Sequence, residues 1–307
     1  MPKNVTKNLE LWLQARLSGD NWQWLQSRLT LLRESNATRD LHISLGLVPR
    51  KLGRADLNLS EAEIDAARRS SNHVLDTREW TVETTARILM LTTVADQDEK
   101  AFAPLFKDLC RTADLNESIT FYRGIALYPH SAELDAQIGE GLRTNIRAVF
   151  EAIAHHNSYP RDHFDQNRWN HMVLKALFID STLSPILGLD ERANAELAHI
   201  LCDYAHERWA AKRVVTPELW RCVGPFATTD MIEDLRRVTE SSVEIERLAA
   251  LLALSQCSDP AASDLLTRFS EEAAAISRGE ISWDLLSDSV SGSQGQIGVN
   301  GEKHDVH

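Results

Sequence analysis

Residues 190–213 read DERANAELAHILCDYAHERWAAKR, and the spacing of their apolar positions decides the fold class. At about 100° per residue, Leu197, Ile200, Leu201, Tyr204 and Ala205 gather on one face, which marks an amphipathic helix rather than a strand. The opposite face carries Glu196, His199, Asp203, His206 and Arg213 along one line. Arg208 falls in the middle of the apolar face. A guanidinium there either snorkels along its stem past the core edge or meets a buried carboxylate, because an unpaired buried charge costs on the order of several kcal/mol. Its functional alternative is an arginine held for an anionic group of a ligand.

The same period recurs outward in both directions. Trp22, Leu25, Leu29 and Leu32 form one helical stripe; Leu142, Ile146, Val149, Phe150 and Ile153 form another. Helix-start signals punctuate the chain. Ser60-Glu61-Ala62-Glu63 and Ser241-Ser242-Val243-Glu244 fit capping boxes, and Thr216-Pro217-Glu218 and Asp259-Pro260 set an N-cap residue before proline. About a dozen helices joined by short loops result. Glycine is scarce, at 13 of 307 residues, and the only β-branched run is Val214-Val215-Thr216, so nothing calls for a sheet. The fold class is all-α. Residues 242–278 resemble a helical hairpin of a HEAT-like array, with Leu248, Leu251, Leu252 and Leu254 in one arm and Leu265, Leu266 and Phe269 in the other. An irregular α-α superhelix of HEAT-like character is the first architecture to expect and a compact multi-helix bundle the second, in a single helical domain over residues 1–286. From Ser287 to residue 307 the chain is rich in Ser, Gly and Gln, and a disordered C-terminal tail is expected there.

Composition narrows the function classes. The formal net charge of −12 opposes phosphate backbones and anionic headgroups, so nucleic acid is not an expected partner. No apolar run nears the ~20 residues needed to span a bilayer, and the N-terminus has no signal-peptide core. A soluble, cytoplasmic protein without membrane insertion is expected. The scattered Cys110, Cys202, Cys222 and Cys257 form no CxxC pair and read as reduced thiols.

The stretch from Arg168 to Ile179 is apolar over most of its circumference, through Trp169, Met172, Val173, Leu174, Ala176, Leu177, Phe178 and Ile179, and such a helix is normally buried. A narrow strip remains for Arg168, His171 and Lys175. Lys175 either pairs with an acid such as Asp180 or Glu207, or has a depressed pKa suited to base chemistry. In the preceding helix, Glu140, Arg143, Arg147 and Glu151 read as surface pairs at i, i+4 spacing. Asn145 and Asn157 lie nearer its apolar side, where an amide fixes a turn or neighbouring backbone. Glu196-Leu-Ala-His199 matches one Glu-x-x-His ligand pair of di-iron bundles, but no second pair exists, so a solvated face is the simpler reading and no metal is expected. His155, His156 and His163 lack the spacing of a zinc site. HExxH, GxSxG, a Gly-rich phosphate loop and DDxxD are all missing from the sequence, and no cofactor is expected.

Ordered blocks along the chain resemble the EboA family. They are Leu47-Val-Pro-Arg50, Thr112-Ala-Asp-Leu115, Glu140-Gly-Leu-Arg-Thr-Asn145, Val149-Phe-Glu-Ala-Ile-Ala154, Trp169-Asn170, Val173-Leu-Lys-Ala-Leu-Phe178, His206-Glu-Arg-Trp-Ala-Ala211 and Pro217-Glu-Leu-Trp220, spread over residues 47–226. Ser158 and His171 depart from the expected pattern. The resemblance implies a helical protein from bacterial gene clusters that also encode a UbiA-like prenyltransferase and a sugar-phosphate cyclase-like protein. Such clusters make or export a secondary metabolite. It brings no catalytic residues. The expected function is a non-catalytic helical adaptor or metabolite-binding component, whose partners are a small-molecule metabolite or other proteins of the same cluster. Its groove would be lined by Trp169, Trp209, Trp220 and nearby basic groups. The alternative is an enzyme acting on a phosphorylated or prenylated intermediate, with Arg208, Lys175 and Arg213 holding an anion and His206 or Glu207 moving a proton. A third reading is an internal polar network holding the central helices in register, with Asn145 and Asn170 among its candidates.

Overall fold

The structure is a computed structural model that describes residues 3–34, 38–70, 77 and 79–287. The tail expected to be disordered lies almost wholly outside the described residues. Among those residues the fold is all-α, with seventeen α-helices and three 3-10 turns. The one β-type pairing is an isolated bridge between Asp56 and Thr81. The chain divides into two compact units, residues 1–163 and 164–307.

The first unit is organised by α5, Val82–Ala95, of which every residue but Val94 is buried. Its sequence, rich in threonine and bulky apolar residues, has modest helix propensity. The helix persists because α1 (Lys3–Arg16), α2 (Gly19–Glu34), α3 (Thr38–Leu52), α6 (Glu99–Thr112) and α7 (Leu115–Arg123) pack around it. Its hydroxyls are satisfied locally: Thr85 donates to the Thr81 carbonyl at 2.8 Å, and Thr92 and Thr93 both donate to Leu89 at 3.0 and 2.7 Å. Two charges sit inside this helix. Glu83 and Arg87 pair at 2.7 Å, with side chains only 7% and 3% exposed. Arg54 reaches the other Glu83 oxygen at 2.8 Å, and Arg87 donates Nε–H to the Leu45 carbonyl at 3.2 Å. The short helix α4, Glu61–Ser70, begins with the expected capping box, Ser60 N–H donating to Glu63 Oε2 at 2.8 Å and Glu63 N–H to Ser60 Oγ at 3.3 Å.

The expected helix around residues 140–154 is two helices. α8 (Ala132–Leu142) and α9 (Arg147–Ala154) are separated by a bend in which Thr144 Oγ1 accepts the Ile146 N–H at 3.1 Å. That local hydroxyl bond competes with the helical one, so the chain breaks where the apolar period continues. Ile146 therefore faces solvent at 51% exposure instead of joining the stripe. Asn145, expected on the apolar side, is exposed in the bend. The ion pairs form within each helix end: Arg143 with Glu140, and Arg147 with Glu151 at 2.6 Å. Asn157 does fix a turn. Its amide donates to the Tyr122 and Ala152 carbonyls at 3.2 and 3.3 Å and accepts Tyr159 N–H at 3.1 Å. Short α10, Tyr159–His163, ends the unit.

In the second unit, α11 (Gln166–Phe178), α12 (Ala195–Ala210) and α13 (Leu219–Val223) precede α14 (Thr229–Thr239), α15 (Glu244–Gln256), α16 (Pro260–Leu266) and α17 (Ser270–Ser277). α15 is the hub, packing on α13, α14, α16, α17 and the 3-10 turn Gly224–Phe226. Gly224 makes this possible: a Cβ there would lie 2.5 Å from the Ala253 carbonyl oxygen and 2.7 Å from its Cα. The hairpin expected at 242–278 has an intact first arm in α15, but its second arm is split into α16 and α17 by the 3-10 turn Thr267–Phe269. Asp259 caps α16 as expected, accepting Ala261 N–H at 2.9 Å with Pro260 at the first helical position. The box expected at Ser241 does not form. Val243 is the N-cap residue, and the Ser241 hydroxyl donates instead to Glu246.

Candidate functional site

α12 ends in a turn that its sequence does not advertise. Arg213 N–H donates to the Arg208 carbonyl at 2.8 Å and Lys212 N–H to the Trp209 carbonyl at 3.0 Å, with Lys212 in the left-handed region at φ +56°. These are the two crossed bonds of a Schellman motif, with lysine where glycine is usual. The turn throws residues 212–215 away from the helix axis and opens a cavity of about 250 Å3. Its lining is Trp209, Lys212, Arg213, Val214 and Val215 from this turn, Trp220 from α13, Val238 from α14 and Glu246 from α15. Trp209 and Trp220 stack with centroids 5.9 Å apart and planes 28° from parallel, and the Arg237 guanidinium stands 4.3 Å over the Trp209 ring. Aromatic faces beside Lys212 and Arg213 suit an apolar or aromatic body that carries an anionic group.

Trp209, Trp220 and Arg213 are thus brought together; other residues expected beside them are not. Trp169 is fully buried in α11, with the Arg192 guanidinium 4.7 Å over its ring, so it lines no groove with the other two tryptophans. Its complete burial makes it a core residue. Arg208 takes the snorkelling alternative: half-buried, it passes over the Tyr204 ring at 5.9 Å and donates Nε–H to the Val214 carbonyl at 2.9 Å. Its charge ends on the backbone of the turn rather than in the cavity. His206 is exposed and its Nε2 lies 2.8 Å from both Asp234 oxygens, on the far helix α14. Glu207 is exposed. Lys175 is half-buried on α11, where burial lowers its ammonium pKa.

Asn170 belongs to a buried polar contact. It exchanges amide hydrogen bonds with Asn194, at 2.9 and 3.3 Å, while Asn194 Oδ1 also accepts Leu197 N–H at 2.9 Å as the N-cap of α12. Asn170 and Gln166 further donate to Glu196 at 3.4 and 3.3 Å. This amide pair ties α11 to the start of α12 and fixes the direction of the helix whose other end makes the cavity. Along the rest of the Glu196 line, His199 and Asp203 face solvent.

Sequence reasoning missed Glu218. It is buried, and its carboxylate accepts Leu183 N–H at 2.9 Å, Ser184 N–H at 3.1 Å and the Ser287 hydroxyl at 3.1 Å. A carboxylate so held anchors the start of α13 and with it Trp220. Its place beside Pro217 at a helix start marked it only as an N-terminal acid. Arg237, Val238 and Glu246 were also unmarked, because each comes from a helix remote in sequence.

The described residues therefore make an all-helical protein with an aromatic, cation-edged cavity at the end of α12. The family profile described as "Metabolite traffic protein EboA" matches residues 5–224, and the chain belongs to this family. The matched region takes in α1 and α2, which carry none of the sequence blocks quoted above. No curated protein and no solved structure matches the chain. Among the described residues no helix is long and apolar enough to cross a membrane.

Proposed function

We propose that the chain is a non-catalytic, metabolite-binding component of a secondary-metabolite traffic pathway, working in the cytoplasm with the metabolite or with other proteins of its gene cluster. The ligand has an apolar or aromatic body and an anionic group, and it docks in the cavity at the end of α12. The observation that carries this reading is the meeting of Trp209 and Trp220 with Lys212 and Arg213 around one opening. The family description, a metabolite traffic protein, agrees with binding and handing on. The enzyme alternative asked for Arg208, Lys175 and His206 in one concave site, and none of the three lines this cavity. Cys110, Cys202, Cys222 and Cys257 are free thiols. Burial pushes the first three up to about 12, so they are protonated and unreactive at neutral pH.

Native mass spectrometry of protein purified from its host tests the proposal. A small-molecule adduct is expected on the natural chain and expected to be lost from Lys212→Ala/Arg213→Ala, two exposed positions whose change leaves the core intact. A chain that carries neither a metabolite nor a cluster-encoded partner removes the basis for the reading.

A further inference from the structure

The first unit holds a second, larger cavity, of about 380 Å3, against α6. At roughly 30 Å3 per water it has room for about a dozen water-sized groups, and it falls within the size range of small-molecule sites. Leu32, Leu41, Val94, Phe102 and Leu105 supply apolar wall, and Leu41 and Phe102 are themselves core residues 1% exposed. Among the described residues the polar lining is Thr38, Gln97, Asp98 and Asp108, with no lysine, arginine or histidine.

The polar groups stand at exposed positions and are mostly acceptors. Gln97 uses its amide N–H to hold the Leu32 carbonyl at 3.0 Å, and no described residue donates to its amide oxygen. Asp98 uses Oδ1 to cap α6, accepting Lys100 and Ala101 N–H at 3.1 and 3.0 Å, and no described residue donates to its Oδ2. Asp108 meets only Arg111, at 3.3 Å, with both side chains mostly in water. An anion entering here would meet two carboxylates and an arginine, Arg111, already paired to Asp108, on a chain that already carries a net charge of −12. A protonated amine would meet complementary charge, while its apolar body filled the wall.

We propose that this cavity is a binding site for a small amphiphilic amine: an apolar body of alkyl or ring carbons seated on Leu41, Phe102 and Leu105, with its ammonium at Asp98 and Asp108. Its ligand preference is opposite in charge to that of the cavity beside Trp209, and the two sites lie in different units of the chain.

The test is titration calorimetry of the full chain with n-octylammonium, 1-octanol and octanoate as probes at neutral pH. Octylammonium is expected to bind at least about tenfold more tightly than octanoate, with octanol between them. Asp98→Asn/Asp108→Asn keeps the α6 cap, since asparagine caps as well as aspartate. It is expected to reduce octylammonium binding to the octanol level while leaving octanol unchanged. Ala101→Trp, at an exposed position of the lining, is expected to weaken all three probes. Should that variant fold poorly, the asparagine pair still decides the matter. Octanoate binding as tightly as octylammonium, or an unchanged preference in the asparagine pair, overturns the proposal. So does the absence of measurable binding by any probe. None of these outcomes touches Trp209, Lys212 or Arg213.

Discussion

Replacing Arg87 by methionine removes a guanidinium from the interior of the first unit while keeping most of its stem. Arg87 is 3% exposed and its partner Glu83 7%. The substitution leaves Glu83 Oε1 in a buried site without its cation, and it takes the donor from the Leu45 carbonyl. Breaking a buried ion pair from one side costs about 3–5 kcal/mol. Arg54 still holds Glu83 Oε2, but it is largely solvent-exposed and compensates only in part. The low end, about 3 kcal/mol, is therefore expected, with the lost Leu45 bond contributing ~1 kcal/mol of it. For a domain of ~150–250 residues this lowers Tm by about 6–12 °C. Glu83→Met/Arg87→Met removes both charges, and apolar side chains of similar volume then occupy the site. Its stability is expected to return to within ~1 kcal/mol of the natural chain, because the desolvation cost disappears with the pair. Urea denaturation followed by circular dichroism, completed as a double-mutant cycle, measures this directly. A loss below ~1 kcal/mol for Arg87→Met, or a double variant as unstable as the two single losses summed, would refute the buried-pair account.

Gly224→Ala is expected to destabilise the second unit by about 1–3 kcal/mol, since its Cβ would run into Ala253 backbone that no side-chain rotation can clear; an unchanged denaturation midpoint speaks against the close packing. Lys212→Gly removes a side chain from the left-handed region and is expected to stabilise the chain by about 1 kcal/mol, whereas Lys212→Ala should not. Equal effects of the two would point to charge rather than backbone strain. The Arg16 guanidinium holds the Glu63 carboxyl at about 2, below its usual 4.5. A depressed carboxylate pKa stabilises the fold above pH 4.5, and that contribution is lost as pH falls toward 2. Arg16→Met should lower stability by a constant amount above about pH 5 and flatten the acid limb in that window, so that the two chains converge as pH falls toward 2. A limb of unaltered slope would exclude the Arg16–Glu63 pair as its source.

Helices α11, α12 and α15 were legible because a period of 3.6 fixes which face is apolar wherever the chain runs straight. Caps carried by the helix's own first turn were legible too, as at Ser60 and Asp259. The break between α8 and α9 was not, since the apolar period runs through it while the chain tightens at Arg143 and Thr144 and the Thr144 hydroxyl takes the Ile146 N–H. Of the candidate site, Trp209, Trp220 and Arg213 meet at one opening, because Trp209 and Arg213 share one helix end and the chain folds back into α13 within seven residues. Trp169 was misplaced beside them: a tryptophan in an apolar stretch looks the same from the sequence whether it lines a groove or fills a core.

Two ion pairs of identical spacing mark the division. Arg147 with Glu151 and Glu83 with Arg87 are both i, i+4 pairs on helices. Local sequence by itself determined that each pair could form, since helical geometry brings such side chains together. Only the tertiary structure decided that the first stays in water, while the second is enclosed where five helices close around α5. Burial depends on what packs against a helix from elsewhere in the chain, and that same long-range packing brings Val238 and Glu246 to the tryptophans of α12 and α13.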